Sequence, residues 1–311
     1  MVSVRGALSP LIETRLASPL RSLTARWRGR QDGEGTRKVA RERNAKVLQQ
    51  DDLAVPAGSE GSADLFILGS GPSVLELRAS DFDLIGGGTS VGLNSWVLHD
   101  FVPDVYAFEE MENDDYVSVA ATISGLLGEA RIADARPLIL HLRPKPHTPS
   151  RRLVTIPRAL AQDLRYYGRT TVECKNIRNL EHDLTTLLEM KRMRKIPDYV
   201  LLDSGSSVAR IASLGITRGF ERIVLVGVDL NTSDYFFDRD QRFLSNHGLS
   251  GFNPSVRRAA SHDTEETVNR PFASSEFLVA LSKASIRTGG PQIYVGSASS
   301  KLAAKLPVFP W

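Results

Sequence analysis

The residues best suited to ligand chemistry stand in short segments that each follow an apolar run. The first segment comes directly after the apolar run 65–68 and consists of Gly69, Ser70, Gly71, Pro72 and Ser73. Glycine permits backbone conformations closed to other residues, proline fits the first turn of a helix, and the amides of that turn lack helical partners. Such a corner attracts an anion, so it is either a phosphate cradle or a tight turn between a strand and a helix.

Acidic and histidine side chains supply further candidates for chemistry. Asp229 ends the most hydrophobic run of the chain, where a carboxylate can bind a ribose, hold a metal or cap the next turn. Asp234, Asp238 and Asp240 follow it and are a possible magnesium cluster, although acidic loop residues are more often solvated. Among the histidines, His262 is the candidate general base, because it ends a long loop just before a helical pattern.

These segments lie where the strands of one sheet are expected to end. From about Asp64 onward, seven apolar runs alternate with helical patterns, which is typical of parallel strands buried on both faces. The clearest unit, residues 199–229, is a strand–helix–strand crossover with Ser204 or Ser206 as the helix cap. The sequence therefore predicts an α/β fold: an open, mostly parallel, Rossmann-like sheet with helices on both faces, whose ligands bind at the carboxyl ends of the strands.

The domain organisation is interpreted as one nucleotide-binding domain with attachments. Residues 1–62 are expected to form a basic N-terminal arm and a linker, and residues 63–311 the domain itself. The stretch 145–198 is rich in Arg and Lys, has few strand signals and is interpreted as a small helical insertion beside the sheet. The stretch 232–262 is interpreted as a lid, because long loops in compact domains are usually functional or disordered.

Charge and composition limit the classes of function. The 311 residues carry 39 Lys and Arg against 36 Asp and Glu, and the excess positive charge is confined to residues 1–50. The remainder has no nucleic-acid-binding motif, so nucleic acid is not an expected partner. The single Cys174 excludes an intramolecular disulfide and a Cys-based zinc site.

The expected location is the cytoplasm. No apolar run of the sequence is long enough to span a membrane. The basic N-terminus alternates apolar residues with Arg, which fits a peripheral contact with the inner membrane, a disordered arm or an organelle transit peptide.

Taken in order, the segments resemble glycosyltransferase family 42, the bacterial sialyltransferases that use CMP-activated sialic acid. The corner is similar to the family's Gly-Asn-Gly-Pro-Ser, with Ser70 in place of Asn. The segment DFDLIGGGTSVGLNSW is similar to the family's DFDVFRCNQ and places a functional Asn on Asn94. The segment DSGSSVARIASLGITRGFERIVLVGVD matches a family Ser-Gly motif and a later strand at Ser204, Gly205, Gly227 and Asp229.

The resemblance continues to about residue 308. Two tyrosines that bind the donor phosphate in the family fall on Asn231 and, in the segment DYFFD, on Tyr235. The family's general-base histidine falls on His262, with the similar SSEFL downstream, and a family Arg falls on Leu201. The closing segment IYVGSASSKLAAKLP resembles the family's last strand and its serine-containing turn, which here holds Ser299.

The resemblance implies an inverting glycosyltransferase that needs neither a metal nor another cofactor. His262 would remove the proton of a hydroxyl on a glycan acceptor, and that hydroxyl would attack the anomeric carbon of a sialic-acid-like CMP-sugar. Tyr235 would hydrogen-bond the departing phosphate while the lid excludes water. The other matched residues would bind the donor, and the chain could assemble as a homo-oligomer.

Two other functions fit the same pattern. A related group with the same nucleotide-binding sheet includes pterin diphosphokinases and flagellin-modifying proteins, and there Asp229, Asp234 and Asp238 would hold magnesium during diphosphate transfer. A non-catalytic member that keeps the nucleotide pocket and acts as a binding partner is consistent with the changed residues Asn231 and Leu201.

Overall fold

The computed structural model describes residues 10–53, 63–109, 117–145, 153–172, 174, 177–249, 265 and 272–311. For residues 10–23, 25, 26 and 117 it describes the backbone alone.

Helices and strands alternate along the described residues. The strands are β1 (Lys46–Val47), β2 (Asp64–Leu68), β3 (Thr89–Leu93), β4 (Val105–Phe108), β5 (Leu138–Leu142), β6 (Leu164–Thr171), β7 (Val200–Asp203), β8 (Arg222–Val226) and β9 (Gln292–Val295). The helices are α1 (Pro10–Glu42), α2 (Ala79–Gly86), α3 (Val117–Leu126), α4 (Ala130–Ala135), α5 (Ile177–Arg192), α6 (Ser207–Arg218), α7 (Phe236–Arg239), α8 (Arg242–Ser245) and α9 (Ser274–Arg287).

The strands form one open sheet in the order β1-β6-β5-β4-β3-β2-β8-β9, and β7 pairs with the second half of β6. Each pairing between described strands is parallel. Both faces of the sheet are covered: in β2, Leu65 and Ile67 join the core on one face, and Phe66 and Leu68 join the core on the other. The predicted α/β Rossmann-like fold is therefore confirmed.

The strand order reverses at β2, which has two strands on one side and five on the other along the described sheet. From β2 the chain proceeds outward through β3, β4, β5 and β6, and then returns by way of α6 to place β8 on the opposite side of β2. The register pairs Leu68 at the end of β2 with Val226 at the end of β8. The carboxyl ends of β2 and β8 thus mark the switch point, where open α/β sheets bind ligands.

The stretch 145–198 differs from the expected helical insertion. Its strand β6 runs through the sheet and pairs with β1, β5 and β7. The buried positions of β6 include Tyr166, Tyr167, Gly168 and Thr170, so the strand lacks the aliphatic run by which the others were recognised. Among the described residues of this stretch, α5 and the short 3-10 helix Arg158–Asp163 are helical.

The stretch 1–62 also differs from the expected arm and linker. β1 extends the sheet, and α1 packs on β6 and on the segment before β7. The buried face of α1 consists of small residues that lie three or four apart: Gly29 and Gly33 face Ile196, Pro197 and Tyr199, Thr36 faces Gly168 of β6, and Ala40 is buried farther along. On the same helix, the Asp32 carboxylate pairs with Arg143 and accepts a hydrogen bond from the backbone N–H of Arg169. The charged sequence concealed this small-residue face, because no large apolar residue marks it.

The lid expected at 232–262 falls partly within the description. Its described part contains α7 and α8, and residues 250–262 lie outside the described residues. No helix in the described part of the chain is long and apolar enough to cross a membrane.

Candidate ligand-binding site

The corner 69–73 packs directly against the loop that follows β8. The Gly69 N–H donates to the Val226 carbonyl (2.8 Å), and the Gly71 N–H donates to the Gly227 carbonyl (2.8 Å). A Cβ at Gly69 would lie 2.6 Å from the Gly227 oxygen, and a Cβ at Gly71 would collide with the Asp229 carboxylate. Glycine is therefore required at both positions by the close approach of the two loops.

Asp229 joins the loop to the corner through one of its carboxylate oxygens. Its Oδ2 accepts a hydrogen bond from the Ser73 N–H (2.9 Å). Ser73 lies in the first turn of the short 3-10 helix Pro72–Glu76. The Oδ1 of Asp229 is buried and has no hydrogen-bond partner among the described residues. Burial raises the pKa of this carboxyl group. An unsatisfied buried acceptor is costly, so a ligand that donates a hydrogen bond to Oδ1 would be stabilised there.

The amides of the corner are largely used within the protein. Besides Gly69 and Gly71, Ser73 donates to Asp229 and Val74 donates to the Gly71 carbonyl (3.2 Å). A phosphate cradle needs free N–H groups, and a neighbouring carboxylate repels an anion. A phosphate cradle, one of the two interpretations of the corner, is therefore not formed by these four amides, and the surroundings of Asp229 Oδ1 are better suited to hydrogen-bond donors.

Asn94 follows β3, the neighbour of β2 on the side away from β8. Its backbone has a φ of 47°, in the left-handed region that Asn tolerates better than most residues. Its Nδ2 donates to Ser207 Oγ at the first residue of α6, with a separation of 3.5 Å that is long for a hydrogen bond. Its Oδ1 is buried and lacks a partner in the described part of the chain.

A buried ionic network supports this part of the site. Arg210 of α6 is fully buried and pairs with Asp203 (2.6 Å) and with Glu109. Arg169 also pairs with Asp203 (3.2 Å), and Glu109 accepts a hydrogen bond from the Ser207 hydroxyl (2.6 Å). Burial alone would lower the pKa of Arg210, but Glu109 and Asp203 raise it above its ordinary value. Likewise, burial alone would raise the pKa of Asp203, but Arg210 and Arg169 hold it below its ordinary value.

Sequence reasoning missed this network. Its one signal is Arg210 itself, an arginine among Ala209, Ile211 and Ala212 on the buried part of α6. An arginine in such a position needs buried carboxylates, and Asp203, seven residues earlier, is the nearest one in sequence.

Ser204 and Gly205 lie between β7 and α6, as the sequence predicted. Gly205 has a φ of 84°, which favours glycine, and its N–H donates to Asp203 Oδ1 (2.8 Å). The Ser204 hydroxyl is buried without a partner among the described residues. Leu201, two residues before Asp203, is fully buried in β7 and belongs to the core.

Tyr235 lies beside the corner. The backbone N–H of the next residue, Phe236, donates to the Ser70 carbonyl (2.9 Å), which ties the start of α7 to the corner. Asp238 accepts the Tyr235 N–H (2.9 Å), and the Tyr235 ring stacks on Phe237 with their centroids 5.1 Å apart.

Asn231 and Ser299 contact each other close to the same two strand ends. Asn231 Nδ2 donates to the Ser299 carbonyl (2.9 Å), and the Ser299 hydroxyl donates to Glu76 Oε1 (2.8 Å). Glu76 ends the 3-10 helix that begins at the corner, so these residues also surround the switch point.

The acidic residues of the alternative magnesium site are not grouped in the described part of the chain. Asp234 pairs with Arg239 (3.2 Å), and Asp238 is engaged by the Tyr235 N–H. Within the described ranges, no group of three or more His, Cys, Asp or Glu side chains is arranged to hold a metal ion.

Glu265 is a further residue that sequence reasoning missed, and no motif marks it. Its buried carboxylate accepts the Ser275 N–H (2.8 Å) and the Lys301 ammonium (2.6 Å), while the Lys301 N–H donates to the Asp229 carbonyl (2.9 Å). Burial alone would raise the pKa of Glu265, but Lys301 and Ser275 hold it below its ordinary value. His262, the candidate base, lies outside the described residues.

The fold and the site together define a Rossmann-like α/β protein with polar side chains gathered at the switch point of its sheet. No protein-family model matches the chain, and no curated protein sequence matches it. Among solved structures, the chain is similar to one described as the structure of MAf glycosyltransferase from Magnetospirillum magneticum AMB-1, with a TM-score of 0.39 and 18% identity. The match covers 81% of this chain and 33% of that chain, so this chain spans about a third of its neighbour's length. Likeness at this level assigns no function.

Proposed function

We propose that the chain is a glycosyltransferase that takes its sugar from a nucleotide-activated donor. The observation that carries the proposal is the buried, unpartnered Oδ1 of Asp229 at the switch point between β2 and β8. Ligands of open α/β sheets bind at this point. The residues through which the sequence resembles family 42 follow β2, β3, β7 and β8, which supports the same class of ligand.

The arrangement of polar side chains at the switch point is suited to a nucleoside. Asn94 follows β3 and Asp229 follows β8, and these strands flank β2. Two strand spacings separate such positions by about 10 Å, which a nucleoside can bridge. Both residues hold an acceptor oxygen without a partner among the described residues, and a ribose or a base offers hydroxyl or amino donors to such oxygens.

The proposed reaction is transfer of a sialic-acid-like sugar from a CMP donor to a glycan acceptor, with inversion and without a metal. His262 acts as the base that deprotonates the acceptor hydroxyl. Tyr235, beside the corner, donates a hydrogen bond to the departing phosphate. Gly69, Ser70, Gly71, Pro72 and Ser73 form the floor of the donor site, and the rim is formed by Ser204, Gly205, Asn231 and Ser299.

A thermal-shift panel tests the class of ligand. We expect CMP to stabilise the protein more than UMP, GDP, ADP or ATP with magnesium, by about 2.7 kcal/mol at a hundred times its dissociation constant. Stabilisation by ATP that depends on magnesium and disappears with EDTA would favour diphosphate transfer instead.

A transfer assay with CMP-activated sugars then tests the reaction. The His262→Ala variant should lose at least ~10²-fold in turnover while it keeps CMP binding. Unchanged turnover would remove His262 from the proposal. Nucleotide binding without hydrolysis or transfer of any donor would leave a binding protein in place of an enzyme.

A further inference from the structure

The orientation of the Asn94 carboxamide is fixed by a chain of hydrogen bonds that begins at a buried arginine. The Arg210 guanidinium can only donate, and it donates to Glu109 Oε2. An ionised Glu109 can only accept hydrogen bonds, so the Ser207 hydroxyl must be the donor in its hydrogen bond to Glu109 Oε1 (2.6 Å).

The remaining capacity of Ser207 then determines the orientation of Asn94. Because the Ser207 hydroxyl already donates to Glu109, its Oγ can only accept further hydrogen bonds. It accepts one from Arg210 Nη2 (3.2 Å) and one from Asn94 Nδ2 (3.5 Å). The NH₂ group of Asn94 therefore faces Ser207, and its Oδ1 lies on the opposite side of the carboxamide without a partner among the described residues. The network presents Asn94 as an acceptor.

A fixed acceptor distinguishes some ligand groups and not others. A hydroxyl can donate or accept, so it fits either orientation of a carboxamide. An exocyclic amino group can only donate, and a carbonyl can only accept. A network that locks the carboxamide is therefore selective for an amino group over a carbonyl at the same position of a base.

We propose that Asn94 binds an exocyclic amino group of the nucleotide base, and that Glu109 and Ser207 are positioning residues that orient its carboxamide. This inference rests on the proposed function, because it names the base class of the same donor site: an amino-bearing cytosine or adenine rather than a keto-bearing base.

The variant Glu109→Gln inverts the network without deleting a side chain. Arg210 still requires an acceptor, so the oxygen of the new carboxamide faces Arg210 and its NH₂ faces Ser207. Ser207 then accepts from this NH₂ and from Arg210, and it donates its proton to Asn94 Oδ1. The Asn94 carboxamide turns over, its NH₂ faces the ligand, and each hydrogen bond among Arg210, Glu109, Ser207 and Asn94 keeps a counterpart in the variant.

The test is calorimetric titration of the full chain with two pairs of nucleotides that each differ by an amino group against a carbonyl: CMP with UMP, and AMP with IMP. The wild type should prefer the amino member of one pair by about tenfold, because a mismatched buried group costs about one hydrogen bond. Glu109→Gln should reverse that preference. The pair that responds identifies the base.

Three further variants complete the experiment. Ser207→Ala should bring the two affinities of the responsive pair together, and Ser207→Thr, which keeps the hydroxyl, should retain the wild-type preference. Glu181→Gln is the matched control, because Glu181 also pairs with an arginine, Arg287 (2.7 Å), but lies on α5. Urea unfolding of each variant shows whether it is folded.

Failure of the inference is distinguishable from failure of the proposed function. If the wild type binds none of the four nucleotides, both are overturned. If it binds a nucleotide but Glu109→Gln and Ser207→Ala, both folded, keep the wild-type ratio of affinities, the orientation of Asn94 does not determine the base, and the inference alone is wrong.

Discussion

Replacing Arg210 with methionine should destabilise the protein strongly. Arg210 is fully buried, and the side chain of Asp203 is only 3% exposed, so the variant leaves a buried carboxylate without its main partner. Removing one partner of a buried ion pair costs roughly 3–5 kcal/mol. Asp203 keeps Arg169 and the Gly205 N–H, and Glu109 is partly exposed, so we expect the lower end, about 3 kcal/mol.

The assay is urea unfolding of wild type and variant at several pH values. The wild-type Asp203 pKa lies below its unfolded value, so its stabilising contribution is present at neutral pH and is lost as pH falls. In the Arg210→Met variant, burial favours the protonated form of Asp203. The difference in the free energy of unfolding between wild type and variant should therefore become smaller below about pH 4.

A matched control separates burial from charge. Arg242→Met removes an arginine that is 84% exposed and paired with Asp240, and it should leave the free energy of unfolding nearly unchanged. The double variant Arg210→Met with Asp203→Asn should recover part of the loss. A cost for Arg210→Met no larger than that of the control would refute the account of the network.

Three other perturbations have expected outcomes. Gly71→Ala should lower the free energy of unfolding by about 2 kcal/mol, because its Cβ would lie 2.7 Å from the Gly227 carbonyl oxygen. At Gly87 the nearest atom to an added Cβ lies 3.4 Å away, so Gly87→Ala should leave thermal unfolding nearly unchanged. Burial lowers the pKa of His99 to about 4, so the contribution of His99 to stability should be greatest above pH 6.5 and fall by roughly 2–3 kcal/mol by pH 4.5. The His99→Phe variant should lose less stability than the wild type between these pH values, and an equal loss would contradict the reasoning. Lys301→Met should cost about 1–2 kcal/mol at pH 7, because the buried Glu265 carboxylate loses its cation. The cost should shrink as pH falls through the ordinary range of a glutamic acid, because without Lys301 burial favours the protonated form; a cost independent of pH would contradict the assigned pair.

The strand ends were predictable because they depend on local pattern. Aliphatic runs such as 65–68 and 222–226 mark buried strands, and polar residues directly after them must lie at one edge of a parallel sheet. That reasoning alone placed the corner and Asp229 at the same edge. It could not show that the Asp229 carboxylate occupies the Ser73 N–H, a contact between residues 156 positions apart.

The missed features have a common physical cause. β6 is buried through tyrosine, glycine and threonine, and α1 packs through Gly29, Gly33 and Thr36, so neither has the aliphatic period on which prediction relies. Arg210 and Glu109 are 101 positions apart, and only the tertiary fold brings them together. Sequence patterns report which faces are buried, whereas specific polar pairs depend on the packed structure.

The most direct measurement is titration of CMP into wild type and Asp229→Asn. In the variant the amide oxygen must still accept the Ser73 N–H, so an NH₂ group replaces the acceptor Oδ1 while the corner keeps its hydrogen bond. We predict that CMP binds the wild type and binds the variant at least about tenfold more weakly, with Asp163→Asn unchanged as a control. Equal CMP affinity in wild type and a folded Asp229→Asn variant would contradict the nucleotide site at the switch point.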